Sequence, residues 1–405
     1  MQRLFSITRV KKINLYKSKL NIITTIILML ILCKLEFVYA QMPDISAHSA
    51  IVIDADTSRI LYEKNPYEIL PMASTTKIMT AILALENGNP DDIVTVSDNA
   101  VGIEGSSISL QPGEKQRVED LVYGIMLSSG NDAAVAIAEH ISGSVEEFCA
   151  MMNKKAVELG AADTNFETPN GLDAEEHHST AYDMALITRY ALGIDGFKEL
   201  IATKSISIES NKCTYSIVNK NRLLSEYEGA IGVKTGFTGK AGHCFVGAAE
   251  SDGMTLISVV LGSGWGTAGR QRKWIDTKNM LNYGFQKYDY FDICIKGDYI
   301  DTIPVNNSYG ESIRVCTAND IKLPLSQAER EALYAEVKLP DKLDAPVKEG
   351  DEVGRILFKI DSDMVIAQSP LLACSTVNKK NVKTTMKMLL KYWINPMKSS
   401  ILKNN

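Results

Sequence analysis

Three short segments, Ser74-Thr75-Thr76-Lys77, Ser129-Gly130-Asn131 and Lys234-Thr235-Gly236, follow one another at intervals of 55 and 105 residues. Each alone is commonplace: an N-cap serine, a turn between helices, a glycine-rich strand end. Their joint order is restrictive, because a fold that uses all three must bring a helix start, an interhelical loop and a strand to one place. Ile78, Ile82 and Leu85 recur at helical spacing after Pro71-Met72-Ala73, so Ser74 opens a helix running to Glu86. Helical patterns over Val118 to Leu127 and Asp132 to Ile141 leave Ser128 to Asn131 as the break between them. Gly232, Gly236 and Gly239 mark the third segment as a strand edge that another chain can approach closely.

The chemistry of such a ring is acyl transfer to a serine. Ser74 and Lys77 stand at i and i+3 and share one helix face. The hydroxyl lies in the first turn, where the positive helix end favours developing negative charge. A serine needs a base, and Lys77 can serve if its amine is neutral, a state that burial and a nearby cation such as Lys234 promote. Lys234 also supplies positive field to an anionic substrate, and Thr235 offers a hydroxyl to a carboxylate. Gly236 keeps the edge open for an extended peptide added as a further strand. Ser129 relays a proton to the leaving amine, and Asn131 holds the substrate backbone.

The remainder of the body predicts an α+β fold, an antiparallel sheet with helices packed on it. Ser49 to Asp54 and Arg59 to Glu63 form one hairpin, and His243 to Glu250 and Met254 to Gly262 a second. Arg270 to Tyr288 is an amphipathic helix. Beyond it, short β-rich segments at Asp292 to Ile295, Ser312 to Cys316, Ala335 to Leu339 and Val353 to Ile360 predict a small all-β domain over residues 291–377. Its default role is that of a spacer or scaffold. The catalytic domain accordingly spans 41–290.

Both ends differ from this body. Arg3, Arg9, Lys11, Lys12, Lys17 and Lys19 precede an apolar run from Ile22 to Cys33 and then Val38-Tyr39-Ala40, the pattern of a signal peptide over 1–40. The run is about 12 residues, short of the ~20 a membrane span requires. The chain after Ala40 carries 36 Lys/Arg and 48 Asp/Glu, a net charge of −12; residues 378–405 hold seven lysines and no acid, leaving 41–377 at −19. A body so acidic argues against nucleic acid as a partner. In the tail, Val382, Met386, Leu389, Leu390 and Trp393 form an apolar stripe interleaved with lysines, as in a helix lying on a membrane surface. Packing on the protein's own surface is the alternative. The six cysteines after the signal, Cys149, Cys213, Cys244, Cys294, Cys316 and Cys374, are scattered singly, and buried free thiols are expected. Neither metal nor cofactor is called for, and His177 and His178 read as loop residues.

Taken together, Met72 to Thr80, Ser129 to Ala133, Pro169-Asn170-Gly171-Leu172, Ser179 to Asp183, Gly232 to Thr238 and Ala345 to Asp351 resemble the low-molecular-mass penicillin-binding proteins of the serine-type D-alanyl-D-alanine carboxypeptidase family. The resemblance covers roughly residues 43–400. It implies a β-lactamase/transpeptidase-like catalytic domain, a second β domain and a C-terminal amphipathic helix, at the outer face of the cytoplasmic membrane. It further implies peptidoglycan pentapeptide stems as substrate and β-lactams as covalent inhibitors. Residue by residue it makes Ser74 the acylated nucleophile and Lys77 the proton acceptor, with Ser129 and Asn131 assisting. An oxyanion would lie between the backbone N–H groups of Ser74 and Phe237. The family's carboxylate-binding arginine has no exact counterpart: Lys220 aligns with it and Arg222 lies two residues on, so either is a candidate for the contact. A class A-like β-lactamase is the rival enzyme, with Glu167 ahead of Pro169-Asn170 as its deacylating base; an inactive wall-binding scaffold is the rival from another class.

Overall fold

The computed structural model describes residues 42–390, positions 362 and 388 excepted. The segment assigned to a signal peptide, and residues 391–405 of the tail with Trp393, lie outside the described residues.

Strand β1 (Ser49–Asp54) is buried along its whole length, as a strand covered on both faces must be. It pairs with β2 (Ile60–Lys64) on one side. Helix α1 (Lys77–Asn87) follows, then the short ribbon of β3 (Ile93–Thr95) and β4 (Lys115–Arg117). Helices α2 (Val118–Leu127), α3 (Asn131–Ser142) and α4 (Val145–Glu158) come next. After α5 (Ala181–Leu192) and α6 (Phe197–Ala202), the ribbon of β5 (Ser205–Glu209) and β6 (Thr214–Val218) leads through α7 (Leu223–Glu226) to β7 (Ala230–Thr238). Strands β8 (Gly242–Ser251) and β9 (Met254–Leu261) and helix α8 (Gly266–Lys287) complete this part of the chain. Side-chain oxygens of Ser144 and Thr180 accept from the backbone N–H three residues on, fixing where α4 and α5 begin.

The main sheet runs β2-β1-β9-β8-β7, antiparallel throughout. Period-two alternation divides its side chains between two helical layers. Ile51, Ile53, Ile257 and Val259 join Ile78, Ile82 and Ile125 in the larger core. On the other face Phe245 packs against Trp274 of α8, ring centroids 4.6 Å apart. Each such buried aliphatic or aromatic side chain contributes about 1.5–3 kcal/mol. Strand β7 is the sheet edge, so its outer backbone is free to pair with an added strand.

Helix α8 begins four residues ahead of expectation, at Gly266, and runs directly into β10 (Tyr288–Cys294). The strands from here on include β11 (Tyr299–Asn306), β12 (Ser312–Thr317), β13 (Ile321–Ser326), β14 (Tyr334–Lys338), β15 (Leu343–Asp344), β16 (Glu352–Ile360) and β17 (Met364–Ala373). They form a six-stranded sheet, β14-β16-β17-β12-β11-β15, and the pair β10-β13, around a core of their own. Arg59 joins this part to the first hairpin by bonding Pro324 O and, at 2.5 Å, the Glu329 carboxylate. Tyr290 Oη donates to Asp54 and Asp56 at 2.8 and 2.9 Å.

The expectation of free thiols fails at one pair: Cys316 and Cys374 form a disulfide across 58 residues. The reason is tertiary. Cys316 on β12 stands opposite Leu372 of β17, which carries Cys374 to a Cα separation of 6.1 Å. Cys149, Cys213, Cys244 and Cys294 remain free.

Candidate active site

Ser74 sits in a 3₁₀ turn, Ala73–Thr76, that leads into α1. The three motifs meet as spacing predicts, and each is bent at a non-glycine residue with positive φ: Ala73 (50°) before Ser74, Ser129 (64°), and Val233 (96°) before Lys234. A β-branched residue at such an angle is strained, and strain of this kind persists only where surrounding structure enforces it.

Lys77 is the centre of the arrangement. It is fully buried, and its Nζ lies 3.0 Å from Ser74 Oγ, 2.6 Å from Asn131 Oδ1 and 2.5 Å from Asn170 O. Burial, then the positive charges of Lys234 and Lys220, holds its pKa well below the ordinary lysine value, against a smaller opposing pull from Asp132. Asn131 is oriented by donating from Nδ2 to Glu104 O at 2.6 Å, which turns Oδ1 toward Lys77. Lys234 is buried on the opposite wall, donates to its neighbour's carbonyl at 3.0 Å, and has its pKa pushed down to about 7 by burial, Lys220 and Lys273.

Several residues that shape this site lie in the family-like segments, but the sequence assigned them no part in orienting the site. The Asp132 carboxylate, buried, accepts from Ser107 Oγ and from the Ile108 and Leu110 N–H groups, fastening the loop that supplies Glu104 and Ser106. Its place directly after Ser129-Gly130-Asn131 is the one hint the sequence offers. Asn170 and Gly171 lie against the nucleophile turn. Gly171 has φ +80°, and a Cβ there would stand 2.0 Å from Ala73 O. Gly236 likewise serves the chain's own packing: a Cβ on it would meet Ala73 Cβ, Met72 O and Ser74 N at 3.1 Å.

His177 lies in a loop, as expected, but not an exposed one. It is buried under the nucleophile turn; Glu167 N–H donates to its Nδ1 at 3.0 Å, so Nε2 carries the proton and donates to Thr76 Oγ1 at 2.8 Å. Thr76 in turn donates to Ala73 O at 2.8 Å. Burial drives the His177 pKa to about 4, keeping the ring neutral in this relay. The Glu167 side chain is turned away: it is exposed and accepts from Glu176 N–H at 2.8 Å.

Ser74, Ser129, Asn131, Thr235 and Phe237 line one cleft of about 520 Å³, together with Lys220 and Arg222. Arg222 is paired with Glu226 (Nε to Oε1 2.7 Å), whereas Lys220 donates to Ser128 O at 2.7 Å beside the second motif. Phe237 is half exposed, with its ring stacked on His243 at 4.4 Å.

A serine hydroxyl against a buried amine, with an open strand edge alongside, is the arrangement of a serine acyl-transfer enzyme of the β-lactamase/transpeptidase-like architecture. A family profile for D-alanyl-D-alanine carboxypeptidases matches residues 37–264, and one for the C-terminal domain of penicillin-binding protein 5 matches 288–379. The D-alanyl-D-alanine carboxypeptidase DacF of Bacillus subtilis is 37% identical over 354 residues, 86% of this chain and 90% of its own. DacA of Escherichia coli is 33% identical over 370 residues, 87% and 89% of the two chains. The crystal structure of penicillin binding protein 5 from Haemophilus influenzae superposes with a TM-score of 0.72 at 31% identity, covering 83% of this chain and 99% of that one. The chain belongs to the D-alanyl-D-alanine carboxypeptidase family. Its activity is that of a serine-type, penicillin-binding D-alanyl-D-alanine carboxypeptidase.

Proposed function

We propose that this activity runs through a Ser74 acyl-enzyme and removes the terminal D-alanine of peptidoglycan pentapeptide stems. The geometry around Lys77 Nζ supports it most directly. A neutral amine has two N–H bonds and one lone pair; Asn131 Oδ1 and Asn170 O take the two donors, and the lone pair is left for the Ser74 proton. The stem peptide adds as a strand along β7. Ser74 Oγ attacks the penultimate carbonyl, whose oxygen is held by the Ser74 and Phe237 N–H groups. Lys77, with Ser129 as relay, returns the proton to the departing D-alanine. Water then releases the shortened stem. Thr235, Lys234 and Lys220 receive the terminal carboxylate; the pairing of Arg222 with Glu226 favours Lys220 over Arg222 for that contact. With Glu167 turned away from the cleft, turnover of bound penicillin is slow, which separates this enzyme from a β-lactamase.

Ser74→Ala tests the assignment: the variant should lose both covalent uptake of labelled penicillin and D-alanine release, and persistent labelling would overturn it. Around this centre we assign 1–40 to an export signal, 41–290 to catalysis, 291–377 to the β domain and 378–405 to a membrane-surface helix, which places the cleft outside the cytoplasmic membrane. Val382, Met386, Leu389 and Leu390 are all more than half exposed, as an unoccupied membrane-binding stripe would be. Deleting 378–405 should move the protein to the soluble fraction; retention at the membrane would refute the tail's role.

A further inference from the structure

The Ser74 N–H can hold an oxyanion only if it points into the cleft, and its direction is set by the peptide unit it shares with Ala73. In a trans peptide the C=O and N–H lie in one plane and point opposite ways, so whatever holds the Ala73 carbonyl aims the Ser74 N–H. The fold places the two ends of this unit on opposite sides. Ser74 N faces β7, where a Cβ on Gly236 would stand 3.1 Å from it. Ala73 O faces the turn of residues 169–172, where a Cβ on Gly171 would stand 2.0 Å away. Ala73 itself has φ +50°, a conformation that a non-glycine residue keeps only under restraint.

Part of that restraint comes through side chains. Buried Thr76 Oγ1 donates to Ala73 O at 2.8 Å and accepts from His177 Nε2 at 2.8 Å. A threonine hydroxyl carries one proton, and the imidazole donor beneath it leaves that proton directed at Ala73 O. His177 is immobilised in turn. Glu167 N–H donates to its Nδ1 at 3.0 Å, and its ring meets Phe166 edge-on at 5.9 Å. Its neighbour His178 exchanges backbone hydrogen bonds of 2.9 and 3.0 Å with Asn165. Burial keeps the imidazole neutral, with Nδ1 accepting and Nε2 donating. Successive hydrogen bonds polarise one another, so the same relay that orients the peptide also strengthens its N–H as a donor.

Resting on the Ser74 acyl-enzyme assignment, we propose that His177 and Thr76 are positioning residues for the oxyanion hole, holding the Ser74 N–H on the substrate carbonyl oxygen through the Ala73 carbonyl. Neither residue lines the cleft, and both act from behind the nucleophile turn. Negative charge builds on the carbonyl oxygen as Ser74 attacks and again as water attacks the ester, so both steps depend on this alignment. Binding that precedes attack does not, because the ground-state oxygen carries little of that charge.

Stopped-flow labelling of the full chain with a fluorescent penicillin separates the dissociation constant before acylation from the acylation rate constant. Infrared difference spectra of the acyl-enzyme give the stretch of its ester carbonyl. Thr76→Val, close in shape but without the hydroxyl, should slow acylation about tenfold to hundredfold, short of the roughly 10²–10³-fold loss when an oxyanion donor is deleted outright. His177→Phe should slow it about fivefold, the effect of one hydrogen bond. Both should leave the dissociation constant unchanged and move the ester carbonyl to higher wavenumber, as weaker hydrogen bonding does. Thr76→Ser, and His177→Gln with its donor to Thr76 retained, should restore both readouts. The double variant Thr76→Val/His177→Phe should be no slower than Thr76→Val, because the histidine acts only through the hydroxyl. A merely structural role would shrink the fraction that labels but leave the rate constant and carbonyl stretch of that fraction at wild-type values. That result, or additive losses in the double variant, overturns the inference, and the Thr76 pair decides it if His177→Phe yields no labelled protein. Failure of the Ser74 assignment itself would look different: wild type would take no penicillin label.

Discussion

Gly171→Ala isolates what the 169–172 turn does for the nucleophile. The residue has φ +80°, where an added Cβ costs about 1–2 kcal/mol. The new methyl would also stand 2.0 Å from Ala73 O, 2.5 Å from Ala73 C and 2.9 Å from Thr76 Oγ1. Ordinary contact begins at 3.4 Å, so the two backbones must separate by 1.4 Å. Overpacking of this kind costs a further 1–3 kcal/mol or so, for a predicted loss of about 2–5 kcal/mol in stability. The functional effect is larger in proportion. Asn170 O bonds Lys77 Nζ at 2.5 Å, and Ala73 precedes the nucleophile, so separation misplaces base and serine together. A displacement of about 1 Å typically costs on the order of 10²-fold in rate. Chemical denaturation gives the first number, and the rate of acylation by a fluorescent penicillin, measured on the folded fraction, gives the second. Gly239→Ala is the control: that position has no positive φ and no atom within 4 Å of the added carbon, so neither quantity should move. A Gly171→Ala protein within about 1 kcal/mol and threefold of wild type would refute the reasoning.

Two further outcomes follow from charge and covalent structure. With Lys77 as the proposed acceptor of the Ser74 proton, kcat/KM should rise with pH as Lys77 loses its own proton. It should then fall as pH passes about 7 and Lys234 loses the charge that attracts an anionic substrate. Lys234→Arg keeps its charge throughout and should carry the alkaline limb to higher pH; an unmoved limb would exclude Lys234 as its source. Replacing Cys316 and Cys374 by Ala opens a crosslink spanning 58 residues and should destabilise the β domain by about 4 kcal/mol in a denaturant titration, with penicillin labelling preserved. A loss below about 1 kcal/mol would show that the strands alone hold that domain.

The parts of the site that were legible in the chain are those set by short-range geometry. Ser74 and Lys77 share a face because they are three residues apart at a helix start. Ser129 and Asn131 lie on a tight turn because helical patterns stop on both sides of them, and Lys234 to Phe237 lie on a strand because glycines and β-branched residues surround them. Periodicity likewise placed both hairpins, the α+β class and the later change to short strands. What only tertiary structure decided involves partners far apart in sequence whose residue types are ordinary. Lys77 Nζ is held by the carbonyl of Asn170, 93 residues away, and by an asparagine fixed in turn by Glu104 O. A backbone carbonyl has no side-chain identity for a sequence pattern to reveal. His177 is a loop residue, as its adjacency to His178 suggested, but the fold buries it under Thr76, which the sequence did not reveal. Cys316 and Cys374 looked unrelated until β12 and β17 paired, and only the fold sets Arg222 against Glu226 and Lys220 against Ser128 O. The sequence by itself determined the kind of chemistry and the elements that carry it, since those depend on neighbours a few residues apart. The fold decided which groups are buried, paired or left without a counter-charge, because burial and pairing are properties of space and not of spacing along the chain.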